Sequence, residues 1–100
     1  MGSKIRRAAQ GQVCSLRLPG CNGNPETTVF AHAPSLDNGM GLKAAPDWWG
    51  AFACSHCHDV VDGRVPNAET RALILERWLA GVFETQKKLF AMGLLSFNDR

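Results

Sequence analysis

The sequence predicts a small α+β domain: a cysteine-bearing knuckle and one or two short strands, followed by a short helix and a long C-terminal helix. Three observations carry this prediction. Four cysteines fall in two pairs, a β-branched and aromatic run lies between the pairs, and apolar residues recur at helical spacing over the last third of the chain. A length of 100 residues with 45% hydrophobic and 20% charged residues suits one globular domain with a modest core. No apolar run approaches the roughly 18 to 20 residues that cross a bilayer. Met1 to Gln10 has basic residues but no apolar stretch of secretory type, so a cytoplasmic location is expected. Residues 1–100 are read as a single domain, with the knuckle and its αβ module over 8–66 and the long helix over 67–93.

Residues 14–26, CSLRLPGCNGNPE, contain Pro19-Gly20, Asn22-Gly23 and Asn24-Pro25. These dipeptides favour turns, because Pro fixes φ while Gly and Asn tolerate positive φ, so the segment is a knuckle. Thr27 to His32, TTVFAH, reads as a strand with Thr28, Phe30 and His32 on one face, and Pro34 ends it. The chain from Ala33 to Asp47 has Pro34, Gly39, Gly41 and Pro46 and no periodicity, which predicts a long loop. Trp48 to Ala53 is either a strand returning beside the first or the lead-in to the next helix. Ser55 to Asp62 forms about two helical turns, stopped by Gly63 and Pro66.

The long helix is expected to start at Asn67 as N-cap, with Glu69 in its first turn. Ala72, Leu75, Leu79, Val82 and Leu89 form its apolar stripe. Ile74, Trp78, Phe83 and Phe90 widen that sector, either into a well-packed monomer or into a homodimer through this helix. Gly81 lowers helix propensity by about 1 kcal/mol relative to Ala, so close packing is expected there.

Thiols in a reducing compartment stay free, so the paired cysteines point to zinc rather than disulfides. Cys54 and Cys57 have the two-residue spacing that presents two sulfurs to a tetrahedral ion; Cys14 and Cys21 are more widely spaced, with Pro19-Gly20 available to fold the excess. The four together are read as one structural zinc site. His58 and Asp62 lie one helical turn apart, and imidazole plus carboxylate suits a second, catalytic divalent ion such as magnesium or manganese; Asp59 is the rival carboxylate. His32, at the end of the strand, is the candidate general base, since its unperturbed pKa near 6.5 lets it accept a proton from water.

Eleven basic and nine acidic residues give a net charge of +2, and four thiolates around one zinc ion cancel it, so attraction to phosphate has to be local. Lys4, Arg6, Arg7, Arg17 and Lys43 are the candidate contacts, with Arg64 in a later loop.

The knuckle with paired cysteines, the strand ending Phe30-Ala31-His32 and the helix opening Cys54-Ser55-His56-Cys57-His58 resemble a zinc-stabilised HNH, or ββα-metal, nuclease. Gly20-Cys21-Asn22-Gly23-Asn24-Pro25-Glu26-Thr27 and Ala53-Cys54-Ser55-His56-Cys57-His58-Asp59 are similar to the YbcO-like nuclease family of prophages. The resemblance implies a ββα-metal module and a DNA phosphodiester hydrolase of phage or prophage DNA recombination or processing. By the same resemblance His32 is the base and His58 a metal ligand. Ala31 stands where many such enzymes have a metal-binding Asp or His, and no Asn lies shortly before Cys54; Asp47 is the candidate substitute. His56 is expected beside the zinc. The competing reading is a non-catalytic zinc-dependent adaptor that binds DNA or protein and has no need of His32, His58 or Asp62.

Overall fold

The computed structural model describes residues 3–32 and 48–96. Asp47, Lys43 and the predicted 33–47 loop lie outside them. The described chain runs α1 (Ser3–Arg7), a single 3-10 turn (Pro25–Thr27), β1 (Val29–His32), β2 (Gly50–Ala53), α2 (Ser55–Val61) and α3 (Arg71–Ala91). This is a small α+β fold with a two-stranded sheet and a long C-terminal helix. Of the run Trp48 to Ala53, Gly50–Ala53 forms the returning strand and the two tryptophans precede it: β2 pairs antiparallel with β1, Val29 opposite Ala53, Phe30 opposite Phe52, Ala31 opposite Ala51 and His32 opposite Gly50.

The hairpin is covered on both faces. Ala31, Ala51 and Ala53 join Cys14, Leu16, Leu18, Val60, Val61, Ile74 and Val82 in one apolar cluster. Phe30 and Phe52, pointing the opposite way by strand alternation, meet Ala9 and Leu89 in a second. Small side chains on the first face let α3 approach closely, and the two phenylalanines fill the second, with ring centroids 6.1 Å apart at an edge-to-face angle.

The structure corrects several expectations. The strand begins at Val29, because Asn24 caps the 3-10 turn and Thr27 is part of it. A short helix, α1, precedes the knuckle where none is expected. Five residues are far too few to hold a helix alone, and packing of Ile5 and Ala8 against the second cluster stabilises it. The N-cap of α3 is Thr70, whose side chain accepts from Leu73 N at 3.2 Å. Asn67 instead donates to Pro19 O at 2.8 Å and accepts from Glu69 N, tying the approach to α3 to the knuckle.

The inward face of α3 is also shifted. Ile74, Gly81, Val82, Thr85 and Leu89 are buried and Trp78 packs on the core, whereas Ala72 and Leu79 are exposed. Two of the inward positions are not apolar in the usual sense. A Cβ built on Gly81 would lie 2.8 Å from Leu16 Cδ1 and 3.4 Å from Ala51 Cβ, so glycine is where helix and strand touch. Thr85 Oγ1 accepts from Phe52 N at 2.9 Å, satisfying a buried strand amide. A hydrophobic pattern blind to Gly and Thr selects the wrong phase. Trp78 Nε1 donates to Ala31 O at 3.1 Å, and Arg71 donates to Val61 O at 2.6 Å, which fixes α3 to β1 and to the last turn of α2.

Candidate functional site

The knuckle brings Cys14 and Cys21 to the start of α2, where Cys54 is the N-cap and Cys57 sits in the first turn. Arg17 takes a left-handed conformation (φ 52°) and Gly20 another (φ 90°), which coils the six residues between Cys14 and Cys21 into a compact loop. Arg17 supports that turn by donating to Cys14 O at 3.0 Å. Leu16 and Leu18 point into the core from the same loop. His56 packs directly over Gly20, where a side chain would collide with the imidazole.

One ligand atom from each of the four cysteines lies within 4.8 Å of the others, and Cys54 Sγ is 3.7 Å from Cys21 Sγ. A tetrahedral zinc ion with Zn–S bonds of about 2.3 Å requires sulfurs about 3.8 Å apart, so the donor set fits such an ion. Cys57 N donates to Cys54 Sγ at 3.4 Å, which ties the N-cap sulfur to the first turn of α2. The hydrogen bond between Cys57 and Cys14 lowers the Cys14 pKa against the opposing effect of burial, and it raises that of Cys57. All four are free thiols, with Cys14, Cys54 and Cys57 buried. The cluster can hold a metal ion such as zinc, and its four sulfurs leave no open coordination position for substrate.

Immediately after this cluster, His58 and Asp62 face each other across one turn, Nε2 to Oδ2 at 3.4 Å. Two adjacent ligands of an octahedral ion with bonds of about 2.1 Å lie about 3.0 Å apart, so the pair is spaced near what two ligands of a magnesium-like ion would need. Arg64 lies 3.3 Å from the same Asp62 oxygen and 3.0 Å from Asp59, so the rival carboxylate is engaged by the guanidinium. Among the described residues no third imidazole, thiol or carboxylate converges on this pair.

His32 ends β1, half-buried, with its ring edge-on to Phe30 at 5.0 Å. It lines a cleft of about 750 Å³ between β1 and α1, together with Arg6, Arg7, Gln10, Thr28, Val29 and Phe30. The cleft therefore joins the candidate base to two of the candidate phosphate contacts, and neither His58 nor Asp62 is among its described lining residues. The sequence marks Arg6 and Arg7 only as candidate phosphate contacts near the start; the short helix that places them beside His32 has no signal of its own. Lys4 is exposed on the same short helix. Arg17 is turned elsewhere, paired with Glu84 at 3.1 Å.

A family model described as "Putative nuclease YbcO" matches residues 3–94. The chain belongs to the YbcO family. Two curated relatives are each 50% identical over 62 residues, 60% of this chain and 64% of the relative: "Putative nuclease YbcO" of Escherichia coli (strain K12) and "Putative nuclease ybcO" of Enterobacteria phage 82. The match thus spans slightly less than two thirds of the curated YbcO relatives' length. A solved structure of "a putative bacteriophage protein from Escherichia coli str. K-12 substr. MG1655" is 37% identical, with a TM-score of 0.74 over 90% of this chain and 100% of that one. The YbcO assignment bears out the family likeness read from the two cysteine segments. Among the described residues no helix is long and apolar enough to cross a membrane.

Proposed function

We propose that the chain is a metal-dependent nuclease of HNH, or ββα-metal, type that hydrolyses DNA phosphodiester bonds. The observation that carries this reading is the cleft in which His32 sits beside Arg6 and Arg7. An imidazole that accepts a proton from water and two guanidiniums that bind phosphate oxygens are complementary parts of a phosphodiester hydrolase. The names of the YbcO relatives support a nuclease, and the phage source of one of them is in keeping with a phage or prophage setting, in which DNA recombination or processing is the role proposed.

In this reading the four cysteines hold a structural zinc ion that fixes the knuckle to α2. His58 and Asp62 hold a magnesium or manganese ion, which when bound supplies positive charge for the phosphate and the leaving oxygen. His32 takes the proton of the attacking water at a ring nitrogen. Arg6 and Arg7 orient the phosphate, with Lys4 and Lys43 the remaining candidate DNA contacts and Asp47 a further candidate ligand, while Arg17 is engaged by Glu84. The protein works in the cytoplasm.

The contacts of Arg64 with Asp62 and Asp59 favour a second reading, a zinc-dependent adaptor that binds DNA or protein without cutting. The two readings separate in one experiment. Plasmid, single-stranded and branched DNA are incubated with magnesium or manganese and either wild type or His32→Ala, both verified as folded and metal-loaded at the cysteines. Cleavage by wild type and its loss in the variant is the expected result; DNA binding without cleavage of any substrate supports the adaptor.

A further inference from the structure

Gly50 lies opposite His32 in the strand register, so the residues just before β2 stand at the same end of the hairpin as the candidate base, the end at which residues 33–47 connect the two strands. Those residues are Trp48 and Trp49, and both indoles are half exposed, at 48% and 51%. Gly50 itself presents nothing there, because the Phe30 ring occupies the space a side chain would need. Trp49 is therefore the first side chain beyond His32's partner. Gln86 on α3 donates to Trp48 O at 2.7 Å, which anchors the backbone of this pair. A groove of about 300 Å³ opens beside it, lined by Trp48, Gln86, Phe90, Leu95 and Ser96.

Two adjacent indoles left in water cost free energy unless something covers them. Their position says what does. Arg6 and Arg7 line the cleft with His32; the two tryptophans line no part of that cleft but directly precede Gly50, the strand partner of His32, and Trp48 lines the separate groove beside α3. Guanidiniums along a groove with flat aromatic side chains beside it make up the usual recognition surface for an unpaired nucleic-acid strand, in which charge follows the backbone and bases stack on rings. A paired base is already stacked within its duplex and offers no free face.

We propose that Trp48 and Trp49 form a stacking platform for an unpaired base next to the phosphate held at His32, so that the preferred substrate is single-stranded DNA or the single-stranded part of a branched or frayed duplex. This rests on the reading of the chain as a DNA-hydrolysing protein, and it selects the substrate class for that site.

The test measures binding, without added magnesium or manganese, so that it is independent of cleavage. A short single-stranded oligonucleotide and the matching duplex are titrated into wild type, a Trp48→Ala/Trp49→Ala variant and a Trp48→Phe/Trp49→Phe variant, with melting curves and oligomeric state recorded for each. Expected results are quenching of tryptophan fluorescence by the single strand, with Trp78 held in its contact with Ala31 and contributing little. The alanine pair should bind the single strand about tenfold more weakly while the phenylalanine pair keeps most of the affinity, as loss of base stacking requires. Duplex affinity should change much less. Equal single-strand affinity in wild type and a folded alanine variant overturns the proposal. So does a wild-type dimer that the alanine pair converts to a monomer with unchanged DNA binding, since the indoles then cover a second copy of the chain. Tryptophan-dependent binding by a protein that cuts nothing supports the platform while removing the hydrolase reading.

Discussion

Cys54 Sγ lies 3.7 Å from Cys21 Sγ although 33 residues separate the two in sequence. With Cys14 and Cys57 in the same cluster, this contact joins the knuckle to the start of α2 across the base of the hairpin. The loop between Cys14 and Cys21 carries Leu16 and Leu18 into the core, so the sulfur cluster also determines whether that part of the core assembles.

Removal of metal should therefore unfold the knuckle. Structural zinc sites contribute about 10 to 16 kcal/mol in small domains, more than the whole stability of most domains of this size. Elemental analysis should find one zinc per chain in the wild type, and a strong chelator or Cys57→Ser should abolish the cooperative melt. A zinc-free Cys57→Ser protein with an unchanged melting curve would contradict a structural role.

Gly81→Ala should destabilise although alanine favours the helix by about 1 kcal/mol. The new methyl would meet Leu16 Cδ1 at 2.8 Å in a buried contact with β2, and overpacking of this kind costs about 1 to 3 kcal/mol. In a domain of this length each net kcal/mol lowers Tm by about 4 to 8 °C. A rise in Tm on calorimetry would show that Leu16 can step aside.

Arg17 beside Glu84 holds the Glu84 carboxyl below its ordinary range, with a smaller contribution from Lys88. A carboxylate depressed in the folded state stabilises the fold above its unfolded value of about 4.3, and the contribution disappears as pH falls through the folded value. The pair is largely solvated, so Glu84→Gln should cost less than about 1 kcal/mol at pH 7. The gap between the wild-type and variant unfolding curves should shrink as the buffer is taken below pH 4, at matched zinc content. A gap that persists there would assign the effect to packing.

Arg64→Ala should tighten manganese binding at His58 and Asp62. The guanidinium stands 3.3 Å from the Asp62 oxygen that would face the ion, and its positive charge competes for that position. Isothermal titration with manganese on zinc-loaded protein measures this directly, with His58→Ala as the reference for loss of the site. Weaker binding in Arg64→Ala would mean that the arginine orients Asp62 rather than competing for it.

The cysteine cluster and α2 were legible because their signal is local: a two-residue spacing, a turn-rich spacer and a helix stopped by Gly63 need no knowledge of distant chain. β2 could not be told from a helix lead-in by periodicity, since Gly50 to Ala53 is buried throughout and shows no alternation. The phase of α3 was hidden because Gly81 and Thr85 face inward for reasons set by Leu16, Ala51 and Phe52, all far away in sequence. α1 was illegible for the same physical reason, as five residues gain a helix only through contact with the Phe30–Phe52 side of the hairpin. At the candidate site, residue types were readable one by one, whereas the proximity of Arg6 and Arg7 to His32 depends on that helix.

Every cysteine precedes residue 58, and α3, which covers the hairpin, begins only at Arg71. During synthesis from the N-terminus the complete set of thiolates is thus made before any of the helix that closes over Leu16 and Ala51. The order of manufacture would let a nascent chain take up a metal at the proposed cysteine site first and receive its covering helix afterwards. If the cluster's ion is zinc, as proposed, cells short of it would release a chain whose last helix finds no finished surface to dock on, and the fault would show as degraded protein.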